Sequence, residues 1–217
     1  MSLSLQQIDE GIDALLVNAS QLVNEARALL SIHGYARAFA LAHLAREELS
    51  KVVMLHAAAI RLLAEHPVDW KRLMTRLRDH KAKLKLEQVE NALLLQGLTD
   101  DPAHERLLAT AVPAAEYRND QKNASLYVGF EEGRFSIPAD QFNEHKASRT
   151  VRLAELRLQE LQFDRERLAR YSEREIGSLR GMKNFDQLSP AELREVLPAA
   201  AKLFALIARC REQPSES

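Results

Sequence analysis

The sequence of 217 residues contains a single cysteine, Cys210, which excludes an internal disulfide and any cysteine-rich zinc site and suits a reducing compartment. Glycine and proline are scarce, at 7 each, and few segments are rich in aromatic or β-branched residues, so helix formers prevail almost everywhere. Neither sign of charge dominates. Thirty Lys and Arg stand against 31 Asp and Glu, for a formal net charge of -1, so the chain has no global field to draw in DNA, RNA or an anionic membrane. Any nucleic-acid contact would need a local basic patch. Long apolar runs are missing too: no stretch approaches the roughly 20 apolar residues of a membrane span. Met1 to Ile12 carries Asp9 and Glu10 within an amphipathic pattern, unlike the basic start and unbroken apolar run of a signal peptide. A soluble, cytoplasmic protein with no membrane partner is the expectation.

What is present is 46% hydrophobic residues, enough for a substantial core in one domain, expected over residues 1–212 with a flexible tail at 213–217. Apolar residues recur at steps of three and four from Leu5 to Leu30, and after Gly34 from Tyr35 to about Ala64, which predicts two amphipathic helices, the second Ala-rich and closely packed. After Pro67, Asp69 is placed to cap a third helix from Trp70 to about Gln96. A fourth runs from about Ala103 to Ser125, bent or interrupted near Pro113. Residues Leu126 to Pro138 have the one strand-like signature, read as a short hairpin or ordered loop turning around Glu131 to Gly133. A long charged helix fits Gln141 to Ile176, followed by a loop from Gly177 to Leu188, and Ser189-Pro190 opens a last helix ending near Arg211. The fold class is all-α, an antiparallel bundle of about six helices.

Three polar clusters interrupt this pattern. In Arg46-Glu47-Glu48-Leu49-Ser50-Lys51, Glu47 and Lys51 are four apart in the favourable order, while Glu48 projects about 100° round the helix from Glu47. Two readings stay open: a solvated pair, or one acid turned inward to bond a neighbouring helix. Arg78-Asp79-His80-Lys81-x-Lys83 and Glu116 to Asn123 mix cations with hydrogen-bonding groups. An Arg near a His or an amide can hold a phosphate and assist proton transfer without a metal, whereas the plain alternative is a charged helix face with a structural His80. His43 and Glu47 are spaced to share an ion, but no second helix offers a matching pair, and no Gly-rich phosphate loop, Gly-x-Ser-x-Gly elbow or His-Glu-x-x-His motif occurs. No metal and no cofactor is therefore expected.

The residues Gly34-Tyr35-Ala36-x-Ala38 leading to Ala45-Arg46-Glu47-Glu48-x-x-Lys51, then Trp70 with Asp79-His80-Lys81-x-Lys83, then Arg118 with Leu126-Tyr127-Val128 resemble the AbiV family of the HEPN superfamily, over roughly residues 8–180. The resemblance implies a helical bundle that commonly dimerises and an antiphage role in abortive infection, through binding of a phage or host protein and arrest of phage multiplication. It makes Glu47, Glu48, Lys51, Lys83 and Tyr127 candidate binding residues. Many HEPN proteins are metal-independent ribonucleases whose motif is an Arg, a polar residue and then a His after four to six intervening residues. Arg118-Asn119 matches the first half, but the places for the His hold Asn123, Ala124 and Ser125, and Asn is no acid or base near neutral pH. Arg118, Asn119, Asn123 and His80 are thus the candidate catalytic set, with His80 supplied by folding if RNA is cleaved at all. The remaining alternative is a non-catalytic, antitoxin-like regulator. The apolar residues Tyr127, Val128, Phe130, Phe135 and Ile137 either fold back over the bundle or meet a second subunit.

Overall fold

Ser4 opens the first helix, α1 (Leu5–Ser31), with a reciprocal cap: its hydroxyl accepts from the Gln7 amide at 3.2 Å, and the Gln7 side chain accepts from the Ser4 amide at 2.9 Å. The computed structural model describes residues 2–87, 111–131 and 133–181. α1 ends in a tight turn through His33 (φ 62), and α2 (Tyr35–Leu63) runs back along it. Small residues let the two helices approach. Ala38, Ala42, Ala45 and Ala59 of α2 are fully buried, and a Cβ at Gly11 would come within 3.1 Å of Leu55, so even alanine there would crowd the contact.

The third member of this layer is α7 (Glu144–Arg167), capped by Asn143, whose side chain accepts from the Lys146 amide at 3.0 Å. Ala147, Val151, Ala154, Leu158 and Leu161 form its buried face, at the spacing that turns one stripe of a helix inward. They pack with Ile8, Ile12, Ala19 and Val23 of α1 and with Leu49, Val52 and Leu63 of α2 in one continuous apolar core. The chain then folds back through a short 3-10 turn (Tyr171–Glu173), and the amides of Gly177 and Leu179 donate to the carbonyl of Leu63 at 2.8 and 3.3 Å, closing the C-terminal end of α2.

On the other side of α2 lie α3 (Trp70–Arg78), a further helix α4 covering residues 80–87, and α5 (Ala111–Leu126). A two-stranded hairpin follows, β1 (Gly129–Glu131) against β2 (Arg134–Ser136), antiparallel with Phe130 opposite Phe135, and then the short α6 (Pro138–Gln141). The fold is all-α apart from this hairpin, and among the described residues no helix is long and apolar enough to cross a membrane.

Two helices differ from the expectations. The single helix read from Trp70 onward breaks at Asp79, which adopts an extended conformation (ψ 113) and accepts from the amides of Lys81 at 2.9 Å and Ala82 at 3.3 Å. Asp79 caps a new helix instead of continuing the old one, so the Arg78 to Lys83 cluster sits on a corner. The long helix read over Gln141 to Ile176 is shorter at both ends, at Glu144 and Arg167. At its C-terminal side, Asp9 of α1 captures the amides of Tyr171 and Ser172 (3.3 and 2.8 Å), which draws the chain out of the helix and onto the bundle. The continuation of the third helix to Gln96, the start of the fourth at Ala103, Cys210, the last helix from Ser189 to Arg211 and the tail at 213–217 lie outside the described residues; Pro113 falls in the first turn of the described part of α5.

Candidate functional site

The Arg78 to Lys83 and Glu116 to Asn123 clusters of the sequence meet on α2. Glu47 points inward, with its side chain 2% exposed, and is met from two helices. Lys83 Nζ of α4 lies 3.0 Å from its Oε2, and Lys122 Nζ of α5 lies 3.2 Å from Oε1. His80 Nδ1 makes a very short hydrogen bond to Oε2. Lys122 also lies 3.3 Å from that same imidazole nitrogen. One turn round, a second buried acid, Glu87 of α4, takes Arg46 of α2 in a two-point contact (Nε at 2.7 Å, Nη2 at 2.5 Å) and Arg118 of α5 at 2.6 Å. Two carboxylates and four permanent cations thus tie α2, α4 and α5 together in a continuous network.

Local geometry explains why these side chains converge. Arg118 and Lys122 are four apart on α5, and Lys83 and Glu87 four apart on α4, so each pair shares one helix face, turned toward α2. The Asp79 corner sets the direction of α4, and it is His80, the residue just past the corner, that reaches Glu47. Burial opposes ionisation of Glu47, but the hydrogen bonds from Lys83 and His80 and the charges of Lys83 and Lys122 outweigh it and hold the carboxyl below the usual range. Glu87 is likewise held low against its burial by Arg46 and Arg118. His43, almost wholly buried, is pushed down to about 3 by burial and by Arg118, and is neutral. Its Nε2 stands 3.6 Å from Glu47, too far for a hydrogen bond, and has no hydrogen-bond partner among the described residues. Glu47 and His43 therefore do not present a shared ion site: both Glu47 oxygens are taken by nitrogen cations or His80.

Of the residues singled out from the sequence, Glu47, Lys83, His80 and Arg118 are brought into one network. Glu48 and Lys51 are not. They bond each other at 2.5 Å as a partly buried i,i+3 pair on another side of α2, so the pair read as Glu47 with Lys51 is in fact Glu48 with Lys51. Asn119 is half-buried and Asn123 exposed, one position further round α5 than Arg118 and Lys122. Tyr127 is 67% exposed beyond the end of α5. Sequence reasoning missed Arg46, Glu87 and Lys122 as site members. Arg46 and Lys122 stood inside the quoted clusters, and the spacing of Lys122 four after Arg118 was an available signal. Glu87 lies in an ordinary-looking Lys-Leu-Glu-Gln stretch and carries none.

Among the described residues the hairpin does not fold back over the bundle: Tyr127, Val128, Phe130 and Phe135 are 59 to 77% exposed, and the two Phe rings pack on each other, with centroids 4.7 Å apart. At its base a groove of about 350 Å³ runs between the start of α2 and α6, lined by Tyr35, Arg37, Ile137, Pro138 and Phe142 among others.

No curated protein and no solved structure matches the chain. A family model described as AbiV matches residues 7–159, a span that includes most of α1, all of α2, the described ion network and the hairpin. The chain therefore belongs to the AbiV family of the HEPN superfamily, a family of abortive infection in antiphage defence.

Proposed function

We propose that the protein defends the cell by binding a phage or host protein and thereby arresting phage multiplication, acting in the cytoplasm as a homodimer. The observation that carries the binding half of this reading is the hairpin. Phe130 and Phe135 at 63 and 77% exposure, flanked by Tyr127 and Val128, form an aromatic surface on a two-stranded hairpin. Solvent-exposed aromatic clusters of this kind suit protein contacts, in which aromatic anchors supply most of the energy. The motif itself favours binding over cleavage as well: the places after Arg118 where the His of the HEPN ribonuclease motif is expected hold Asn123, Ala124 and Ser125, none of them an acid or base near neutral pH.

A second reading, a ribonuclease in which Arg118 clamps a phosphate and His80 relays protons, is favoured by one observation. The two residues, far apart in sequence, belong to the same network and are its most exposed described members, with the His80 side chain 51% and the Arg118 side chain 17% exposed. Plaque formation and total RNA integrity, measured in cells expressing the wild type, Arg118→Ala, His80→Ala or Phe130→Ser and challenged with one phage panel, separate the two. Protection with intact RNA, lost in Phe130→Ser, supports partner binding. Protection accompanied by RNA cleavage, lost in Arg118→Ala and His80→Ala, supports the nuclease. Unchanged plating across the panel for the wild type would overturn both.

A further inference from the structure

The hairpin is short of a strand. Its two strands have three residues each, and a two-stranded hairpin is marginal in water until further strands or a packed face complete it. Phe130 and Phe135 pair directly across it and share one face, where their rings meet at 4.7 Å. The register leaves two residues between Glu131 and Arg134. In a hairpin of that length the residues flanking the turn form the hydrogen-bonded pair, and the pairs alternate along the ladder. Phe130 and Phe135 are therefore the non-hydrogen-bonded pair, with the amide and carbonyl of each turned outward. Among the described residues no backbone hydrogen bond from outside the hairpin reaches either of them.

The two outer edges differ in what they lead to. β2 runs on through Ile137, which stays extended (φ -91, ψ 147), into the groove of about 350 Å³ whose one wall is Ile137, Pro138 and Ala139 and whose other includes Tyr35 and Arg37. Pro138 has no N–H, so backbone pairing along β2 ends at Ile137, and there the groove begins. Arg37 ties the groove to the hairpin stem: its Nη1 donates to the Leu126 carbonyl at 3.0 Å, where α5 ends. It is also the permanently charged side chain of the groove lining. We propose that the outer edge of β2 and this groove take an extended segment of the protein partner, added as a third strand, with apolar side chains on the Phe130–Phe135 face and an acidic one at Arg37. Three observations select this occupant. Outward amides and carbonyls are met by extended backbone, the side chains of a strand alternate between faces as the aromatic face requires, and the groove's fixed charge is positive. The inference rests on the partner-binding reading and says how that partner is recognised.

The test uses the purified full chain and a short probe peptide in which valine alternates with threonine and the last residue is glutamate. NMR and hydrogen exchange follow the Phe135 amide. That amide is expected to exchange fast in the free chain and about tenfold more slowly with saturating peptide, with shifts confined to residues 134–137 and the groove. A fully N-methylated form of the peptide keeps the side chains and loses the donors, and is expected to bind about tenfold more weakly. Arg37→Ala is expected to weaken the unmethylated peptide, and Phe135→Pro, which removes one outward amide, to abolish its binding. The comparison of the two peptides on the wild type keeps the test decisive if Phe135→Pro does not fold. A Phe135 amide already protected in the free chain, whether by another segment or by a second copy, would overturn the proposal, as would equal binding of the two peptides. Phage challenge separates this proposal from the reading it rests on. Protection lost in Phe130→Ser but kept in Phe135→Pro would overturn edge pairing and leave partner binding at the aromatic face; protection kept in both would overturn partner binding at the hairpin itself.

Discussion

The two sides of α2 hold their neighbours by opposite means. Toward α1 and α7, α2 presents Ala38, Ala42, Leu49, Val52 and Ala59 to a continuous apolar core; toward α4 and α5 it presents His43, Arg46 and Glu47 to an ion network. The fully buried apolar side chains that α4 and α5 contribute among the described residues, Leu84 and Ala115, are not part of the continuous core. The contrast teaches what each side can do. Apolar burial is non-directional, spread over many contacts and indifferent to salt and pH near neutrality. An ion network depends on every partner being present, charged and correctly placed, and so responds to charge arriving from outside.

The sharpest way to break the charged side is Glu47→Ala. It leaves Lys83 and Lys122 buried without their carboxylate, and a loss of about 3–5 kcal/mol is expected, the cost typical of removing one partner of a buried pair. Urea unfolding measures the loss, and amide hydrogen exchange should rise in residues 80–87 more than in α1; a uniform rise would show that the two sides are a single unit. On the apolar side, Leu49→Ala removes a fully buried side chain and is expected to cost about 2–5 kcal/mol. The comparison is sharpened by salt: the Leu49→Ala deficit should be nearly the same at low and high ionic strength, whereas the network's contribution should change.

Acidification separates the sides further. His43 and His56 are held down to about 3 and about 4, by burial first, with the charges of Arg118 and Arg165 respectively adding to it. Both are neutral in the folded chain, while the unfolded chain takes up protons below the ordinary value of 6.5. Their contribution is therefore complete above about pH 6.5 and is lost progressively as the pH falls toward the folded values. Glu47, Glu87 and Asp9, all lowered, add to the loss below their ordinary carboxylate range. A melting temperature that falls steadily from about pH 6.5 to 5, with a shallower slope in His43→Phe, is the expected outcome; identical slopes would remove His43 from the account. The smallest effect is expected for Glu48→Ala. That carboxylate pairs with Lys51 at a partly exposed position, and a change under about 1 kcal/mol is expected. Neighbouring glutamates would then differ several-fold in consequence, because one faces a network and the other a single lysine.

Much of the fold was legible in the sequence because it rests on periodicity. The stripe from Ile8 through Ile12, Leu16, Ala19 and Val23 is the buried face of α1, and the small residues of α2 do mark a close approach. The hairpin was legible from Phe130, Phe135 and Gly133, whose φ of 80 makes the turn. What failed were the points at which a polar side chain from elsewhere, or its own local bonding, overrides helix propensity. Asp79 reads as a tolerable helical residue until its carboxylate is seen to cap α4, and nothing near Leu168 announces that Asp9, more than 150 positions earlier, withdraws the chain from the helix.

By itself the sequence determined the class of structure, the places of α1 and α2 and the polar clusters from which a site could be made, because these depend on composition and on spacing along one helix. It could not decide which of Glu47 and Glu48 turns inward, that Glu87 joins Arg46 and Arg118, or that Lys83 and Lys122 converge on Glu47. Those are properties of three helices meeting, and the balance of charge in a buried space is set only when the folded chain has brought all of its members together.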